Sequence, residues 1–165
     1  MYDQEVKIPS GLYCWNNGEI AQNIINTDSI DEPKIIVWLD SLGCTPCKLR
    51  SLFDKEEDYH YLKDTLGISI PYIVVLSPPS GEIVNTIQYI WECDFDYPIL
   101  FDFKSDFLVQ NSFIPSDQIY HTFLVDTDNN IKVVGPPFFN SKMLDLYLNT
   151  IKELDIKNND NNETI

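Results

Sequence analysis

Four cysteines occur in the 165 residues: Cys14, Cys44, Cys47 and Cys93. Only Cys44 and Cys47 are close together, in Gly43-Cys44-Thr45-Pro46-Cys47-Lys48. Two thiols at this spacing can pass between a dithiol and a disulfide. What they do depends on the elements that hold them. Just upstream, Lys34–Leu39 (KIIVWL) is a short apolar run rich in branched residues, the pattern of a buried strand. Asp40-Ser41-Leu42-Gly43 reads as a loop. Downstream, Leu49, Leu52, Phe53, Tyr59, Leu62 and Leu66 approximate one face of a helix. Gly67 is placed to stop that helix, and Glu56, Glu57 and Asp58 predict a bend or break within it. Cys44 therefore falls at the expected helix start, where unpaired N–H groups and the positive end of the dipole favour an anion. The thiolate is the nucleophilic form of cysteine. Cys44 thus reads as the attacking residue. Cys47, one turn inward, reads as the one that resolves a mixed disulfide. Pro46 costs little in a first helical turn, and Lys48 adds positive charge.

Other uses of these thiols stay open. Cys44 and Cys47 could form an inert structural disulfide. They could be half of a zinc site with Cys14 and Cys93, although structural zinc ordinarily takes two close pairs. Cys14 and Cys93, each isolated, read as buried small apolar residues, and a disulfide between them is a further option.

The rest of the chain alternates elements. Ile70–Leu76 reads as a second buried strand, with a turn at Pro78, Pro79 and Gly81. Ile83–Trp91 has helical spacing, Pro98–Phe103 suits a third strand, and Lys104–Phe113 a short helix or turn. His121–Val125 and Ile131–Val134 flank a polar turn and predict a β-hairpin. A last helix, capped by Asn140 or Ser141, carries Leu144, Tyr147, Leu148, Ile151 and Leu154 on one face. Near the N-terminus, Gly11–Trp15 and Glu19–Ile25 fit edge strands joined by Asn16-Asn17-Gly18. This alternation implies an α/β fold with a central mixed sheet flanked by helices on both faces. The expected organisation is a single domain over 1–157, with its core at about 34–154 and a disordered acidic, Asn-rich tail at 158–165.

Composition narrows the function. Hydrophobic residues make up 44% of the chain and aromatics 13%, enough to build a core. Eleven Lys and Arg against 26 Asp and Glu give a net charge of −15, which repels phosphate backbones, so no nucleic-acid partner is expected. No apolar run approaches the roughly 18 residues of a membrane span. The first residues lack a basic region followed by an apolar core, so no leader is read in this chain.

The segment KIIVWLDSLGCTPCKL, the strand PILFD and the stretch HTFLVDTDNNIKVVG resemble the thioredoxin-like thiol–disulfide oxidoreductases, especially the extracytoplasmic TlpA-like branch. The resemblance runs from about Lys34 to Leu148. It implies a thioredoxin-like fold with extra N-terminal strands, and a redox-active pair of Cys44 and Cys47. It also implies a substrate face built by Gly43, Thr45, Pro46, Tyr120 and His121, although His121 by itself reads first as a satisfied structural residue. No dissociable cofactor and no metal are implied. The implied partners are protein or small-molecule thiols and disulfides and a redox partner protein; of the two compartments that fit the sequence, the resemblance favours the extracytoplasmic over the cytoplasmic. A carboxylate near the second cysteine commonly moves protons in this family; Asp40 and Glu82 are the candidates, although each reads first as a surface charge. Gly43 stands where the family has Trp, and the loop after Trp38 is longer. Tyr120 stands where the family has a cis-proline, so a trans bond and an altered substrate face are expected, since a cis bond before a non-proline residue costs about 3 kcal/mol. Two alternatives remain. A peroxiredoxin-like peroxidase is suggested by Ser41-Leu42-Gly43-Cys44, but Val37 replaces the expected proline and Arg50, the one arginine, lies in the first helix. A non-enzymatic thioredoxin-fold binding module is the other.

Overall fold

Two largely apolar runs, each flanked by breakers, set the centre of the architecture. In the computed structural model, which describes residues 1–16, 19–22, 32–40, 45–93, 95 and 97–162, these runs become β3 (Lys34–Leu39) and β4 (Tyr72–Leu76). They pair in parallel, with Ile36 opposite Ile73 and Trp38 opposite Val75. β5 (Ile99–Phe101) adds to β4 in parallel. Parallel neighbours need crossovers. These are α1 (Thr45–His60), between β3 and β4, and α2 (Ile83–Cys93), between β4 and β5. β6 (Thr122–Val125) pairs antiparallel with β3, and β7 (Ile131–Val134) closes the expected hairpin on it. β1 (Tyr13–Asn16) and β2 (Glu19–Gln22) also form an antiparallel pair. The order across this seven-stranded sheet is β2-β1-β5-β4-β3-β6-β7.

Only one of the two N-terminal strands is an edge. β1 lies inside the sheet because its free side pairs with β5, Cys14 opposite Leu100. The turn at Asn17-Gly18, and residues 23–25 of the second predicted strand, lie outside the described residues.

Strand alternation sorts the core onto two faces. Ile35, Val37, Val74 and Phe101 join Leu49 and Leu52 of α1, Ile90 of α2, and Tyr147 and Ile151 of α4 (Ser141–Asn162). Ile36, Trp38, Ile73 and Leu100 pack instead with Val6, Ile8 and Leu12 and with Phe107 of α3 (Asp106–Gln110). Thus α1, α2 and α4 cover one face. The other is closed by the short α3 and the N-terminal segment.

The irregularity of the first helix falls later than Glu56–Asp58. α1 stays regular through His60 and ends in a π-helical turn, Tyr61–Thr65, which keeps Leu62 buried. Gly67, with φ +67°, then turns the chain, a conformation glycine adopts without strain. Asn140 caps α4, its Oδ1 accepting from the Met143 N–H at 2.9 Å. α4 continues to Asn162, into the segment expected to be disordered. Once a helix is anchored by Tyr147 and Ile151, each further residue adds a backbone bond without a new nucleation cost. Residues 163–165 lie outside the described residues.

A buried chain of polar groups ties the ends of β3, β4 and β5 together. The Trp38 indole N–H donates to Ser77 Oγ at 3.1 Å, and Ser77 Oγ donates to Asp102 Oδ2 at 3.2 Å. Asp102 also accepts the N–H groups of Asp106 and Phe107 at 3.0 and 2.9 Å, which fixes the start of α3. Asp102 is 1% exposed. Removing it leaves several buried donors without an acceptor, and each such loss costs about 1–3 kcal/mol. Asp102→Ala is expected to lower unfolding stability by about 3 kcal/mol in a urea titration. Ser77→Ala should add little on top of it, because the two side chains belong to one network.

Candidate functional site

The cysteine-bearing segment joins β3 to α1. α1 begins at Thr45, so Cys44 immediately precedes the helix in sequence and Cys47 lies in its first turn. Gly43 and Cys44 lie outside the described residues; Thr45 and Pro46 open the helix, and Cys47 is exposed. The first turn of a helix presents unpaired N–H groups and partial positive charge, so an anionic sulfur is favoured here.

The other two cysteines are separated from this turn and from each other. Cys14 and Cys93 are both free. Cys14 is buried beneath the α3 face, and burial pushes its thiol up. Cys93 is half-buried on the opposite face, beside Tyr89. Free thiols on opposite faces of the sheet form neither a disulfide with each other nor two corners of one metal site. Among the described residues, no group of three His, Cys, Asp or Glu is placed to hold a metal ion.

Tyr120 and His121 sit in the loop before β6, next to the end of β3: the Trp38 N–H donates to the His121 carbonyl at 2.8 Å. Their side chains diverge. Tyr120 is 41% exposed at the end of a short 3-10 turn, Gln118–Tyr120, and every described peptide bond, including Ile119–Tyr120, is trans. Asp117 fixes that turn through its side chain, which accepts the Ile119 N–H at 3.1 Å. The Tyr120 and His121 N–H groups are bonded back to the Asp117 and Gln118 carbonyls at 3.0 and 3.1 Å. Neither remains to pair with an extended chain docking alongside.

His121 departs from the expectation of a substrate-facing residue. It is 3% exposed, its ring lies 4.4 Å from that of Trp38, and Nε2 sits 2.8 Å from the Pro115 carbonyl. A carbonyl only accepts, so Nε2 carries the hydrogen. Trp38 belongs to the α3 face, and His121 also lines the cavity that Ser51 and Lys55 of α1 border.

The carboxylate candidates separate as well. Glu82 is half-buried at the start of α2 and accepts from Asn85 at 3.1 Å. Asp40 is 4% exposed, which rules out the surface-charge reading for it. It borders a cavity of about 150 Å³ between α1 and the loop before β6, together with Leu39, Ser51, Lys55 and Thr122. Arg50 is exposed on α1 and acts on Tyr89 of α2.

Sequence reasoning missed the polar groups further along α1. The Lys55 ammonium lies 3.6 Å from Asp58 Oδ2, and both side chains are largely covered. Burial is the main cause that raises the Asp58 carboxyl from 3.8 to about 6, against the opposing pull of Lys55. The only sequence signal was a charged triplet breaking an apolar stripe. The folded-state value lies above the unfolded one, so the folded protein binds the proton more tightly. Stability present below about pH 4 is lost as pH rises towards 6. Between pH 4 and pH 7, the wild type is expected to lose on the order of 2 kcal/mol relative to Asp58→Asn, read as the difference between their urea unfolding curves. Parallel pH profiles would contradict this.

No protein-family model matches the chain, and no curated protein matches it. Solved structures do. It is similar to an uncharacterized conserved protein from Geobacillus kaustophilus, at 8% identity over 85% of this chain and 71% of that one, with a TM-score of 0.54. It is similar to ScoI from Arabidopsis thaliana, solved with copper bound, at 12% identity over 91% and 98% of the two chains, TM-score 0.52. An uncharacterized thioredoxin-like protein from Porphyromonas gingivalis aligns over 91% and 92% at 23% identity, TM-score 0.48. At such identities the likeness is one of architecture. The parallel β3–β4–β5 core, the antiparallel β6–β7 hairpin and the helix entered directly after β3 make the fold of this chain thioredoxin-like.

Proposed function

We propose that the protein is a thiol–disulfide oxidoreductase in which Cys44 attacks and Cys47 resolves. The observation that carries this reading is the position of the Cys-x-x-Cys segment: it links the central strand of a thioredoxin-like sheet to the first turn of α1, with Cys47 exposed. A further support is that Cys47 is disulfide-bonded while Cys14 and Cys93 are free. The partner this reading assigns to Cys47 is Cys44.

In the reducing direction the Cys44 thiolate attacks one sulfur of a substrate disulfide. One S–S bond forms, one breaks, and the departing substrate thiolate takes up a proton. Cys47 then loses its proton, and its thiolate attacks Cys44 Sγ. The second substrate sulfur leaves with the electron pair of the mixed disulfide. The substrate is reduced by two electrons and the cysteine pair is oxidised by two. The oxidising direction is the reverse. The partners are protein or small-molecule thiols and disulfides, with a redox protein to restore the pair. The sequence resemblance to the TlpA-like branch favours an extracytoplasmic compartment over a cytoplasmic one; no described helix is long and apolar enough to cross a membrane.

The loop before β6 shapes substrate choice. With its N–H groups turned inward and Tyr120 exposed, it offers an aromatic side chain in place of backbone donors. Extended polypeptides lose pairing there, while small disulfides need none.

Cys44→Ser should lower disulfide exchange at least about a hundredfold. Cys47→Ser should accumulate a mixed disulfide on Cys44, visible by intact mass. Exchange that persists in Cys44→Ser would sink the assignment. Insulin reduction is expected to be weak beside exchange with glutathione, and Tyr120→Pro should raise the first rate more than the second. An unchanged ratio of the two rates would refute the role given to Tyr120. A loop that binds partners in the complete absence of exchange would support the binding-module reading instead.

A further inference from the structure

The loop before β6 has no core of its own. Ser116 through Tyr120 are all exposed, and none of the three residues of the 3-10 turn Gln118–Tyr120 is buried. A lone turn of this kind holds itself poorly, because its hydrogen-bond geometry is strained and a first turn orders several residues for one bond. The two ends of the loop, by contrast, are fixed. Ile114 is buried in the α3-face core, and its N–H donates to the Asn111 carbonyl at 3.0 Å. At the far end the His121 carbonyl accepts the Trp38 N–H at 2.8 Å. One side-chain bond closes the span between these anchors. His121 Nε2 donates to the Pro115 carbonyl, 2.8 Å away and six residues earlier in the chain. The ring that makes this bond is itself held, 3% exposed and 4.4 Å from the Trp38 ring, and the Trp38 indole is tied to Ser77.

The imidazole brings a disadvantage that the Pro115 bond must outweigh. Its other nitrogen, Nδ1, is buried with no hydrogen-bond partner among the described residues. Burying an unpaired acceptor is unfavourable, and a phenyl ring of similar shape would avoid it while keeping the contact with Trp38. What a phenyl ring cannot do is donate to Pro115. Resting on the dithiol reading above, we propose that His121 is a positioning residue that sets substrate preference: its bond to Pro115 latches the loop in the turn that withholds the Tyr120 and His121 N–H groups from an extended polypeptide, which leaves small disulfides favoured. Those two N–H groups are bonded to the Asp117 and Gln118 carbonyls in the latched turn. Local opening frees both, and with no buried side chain in the turn the latch is the main contact that opening must break. His121 touches no substrate and moves no proton.

The test uses the full chain. In His121→Phe, amide hydrogen exchange at Tyr120 and at position 121 should rise about fivefold relative to Phe123 and Leu124 of β6, the change expected for loss of one ordinary hydrogen bond. The ratio of insulin reduction to glutathione exchange should rise by about the same factor, because a substrate that needs the open loop gains in proportion to its population. His121→Gln carries an N–H at the place of Nε2 and should return both readouts towards the wild-type values. Unchanged amide exchange in His121→Phe would overturn the latch. So would a His121→Gln variant that behaves like His121→Phe, since the donated bond would then not be what holds the turn. Faster amide exchange with an unchanged ratio of rates would overturn the role in preference. Amide exchange needs no cysteine chemistry, so failure of the latch is distinguishable from absence of disulfide exchange in the wild type, which would remove the dithiol reading and the preference with it.

Discussion

The parallel pairing of β3 with β4 is the constraint on which the other features depend. All five residues of β4, and the first five of β3, are buried. Neither strand can slip by one residue without sending its side chains to the wrong face. A parallel pair cannot close with a tight turn, so the chain must leave the end of β3 and return through a helix. That requirement puts a loop and then a helix start directly after Leu39. The cysteine segment occupies one of the two places where the topology demands such a junction, the other being the connection from β4 to α2.

The strand ends are then fixed by backbone and side-chain bonds that work together. The Ser77 N–H donates to the Leu39 carbonyl and the Asp102 N–H to the Leu76 carbonyl, each at an end of the parallel core. The Trp38–Ser77–Asp102 chain crosses the same three strands on the α3 face. Asp102 is tolerated at 1% exposure because its oxygens accept from Ser77 and from the first N–H groups of α3. One side of the site is therefore rigid. On the other side, between α1 and the loop before β6, lies a cavity of about 150 Å³. A rigid scaffold on one face and space on the other suits a segment that must exchange bonds.

Much of this was legible in the sequence. β3 was readable to the residue, because a run bounded by Pro33 and Asp40 leaves little choice. The hairpin of β6 and β7 was equally plain, since Asp126 through Asn130 can do little but turn. What escaped has physical causes. Lys34 is fully buried at the start of β3, although residue type alone places lysine at the surface. β1 becomes an interior strand through a partner, β5, more than 80 residues away, and local pattern carries no information about that. His121 turns inward because the Pro115 carbonyl and the Trp38 ring are both within its reach, contacts that exist only once the loop has folded. Asp58 looks like a solvated charge in a charged triplet. Its burial follows from the regular continuation of α1 past it, where a break at the triplet would have exposed it.

The same reasoning bears on how the proposed dithiol would be tuned. The direction of a thiol–disulfide couple is a matter of small energies, about 1.4 kcal/mol for each 30 mV. Terms of that size come from the field at the sulfur. The helix start supplies one such term, confined to the first turn. The net charge of −15 opposes it from a distance, although salt screens most of that beyond about 10 Å. Only groups within that radius and shielded from water can decide the balance. On the α1 face Lys55 and Asp40 border the cavity, and Lys55 is paired with Asp58 further along the helix. If an acidic protein is to stabilise a thiolate, its covered cations count for more than its exposed ones, and on α1 Arg50 is exposed while Lys55 is largely covered.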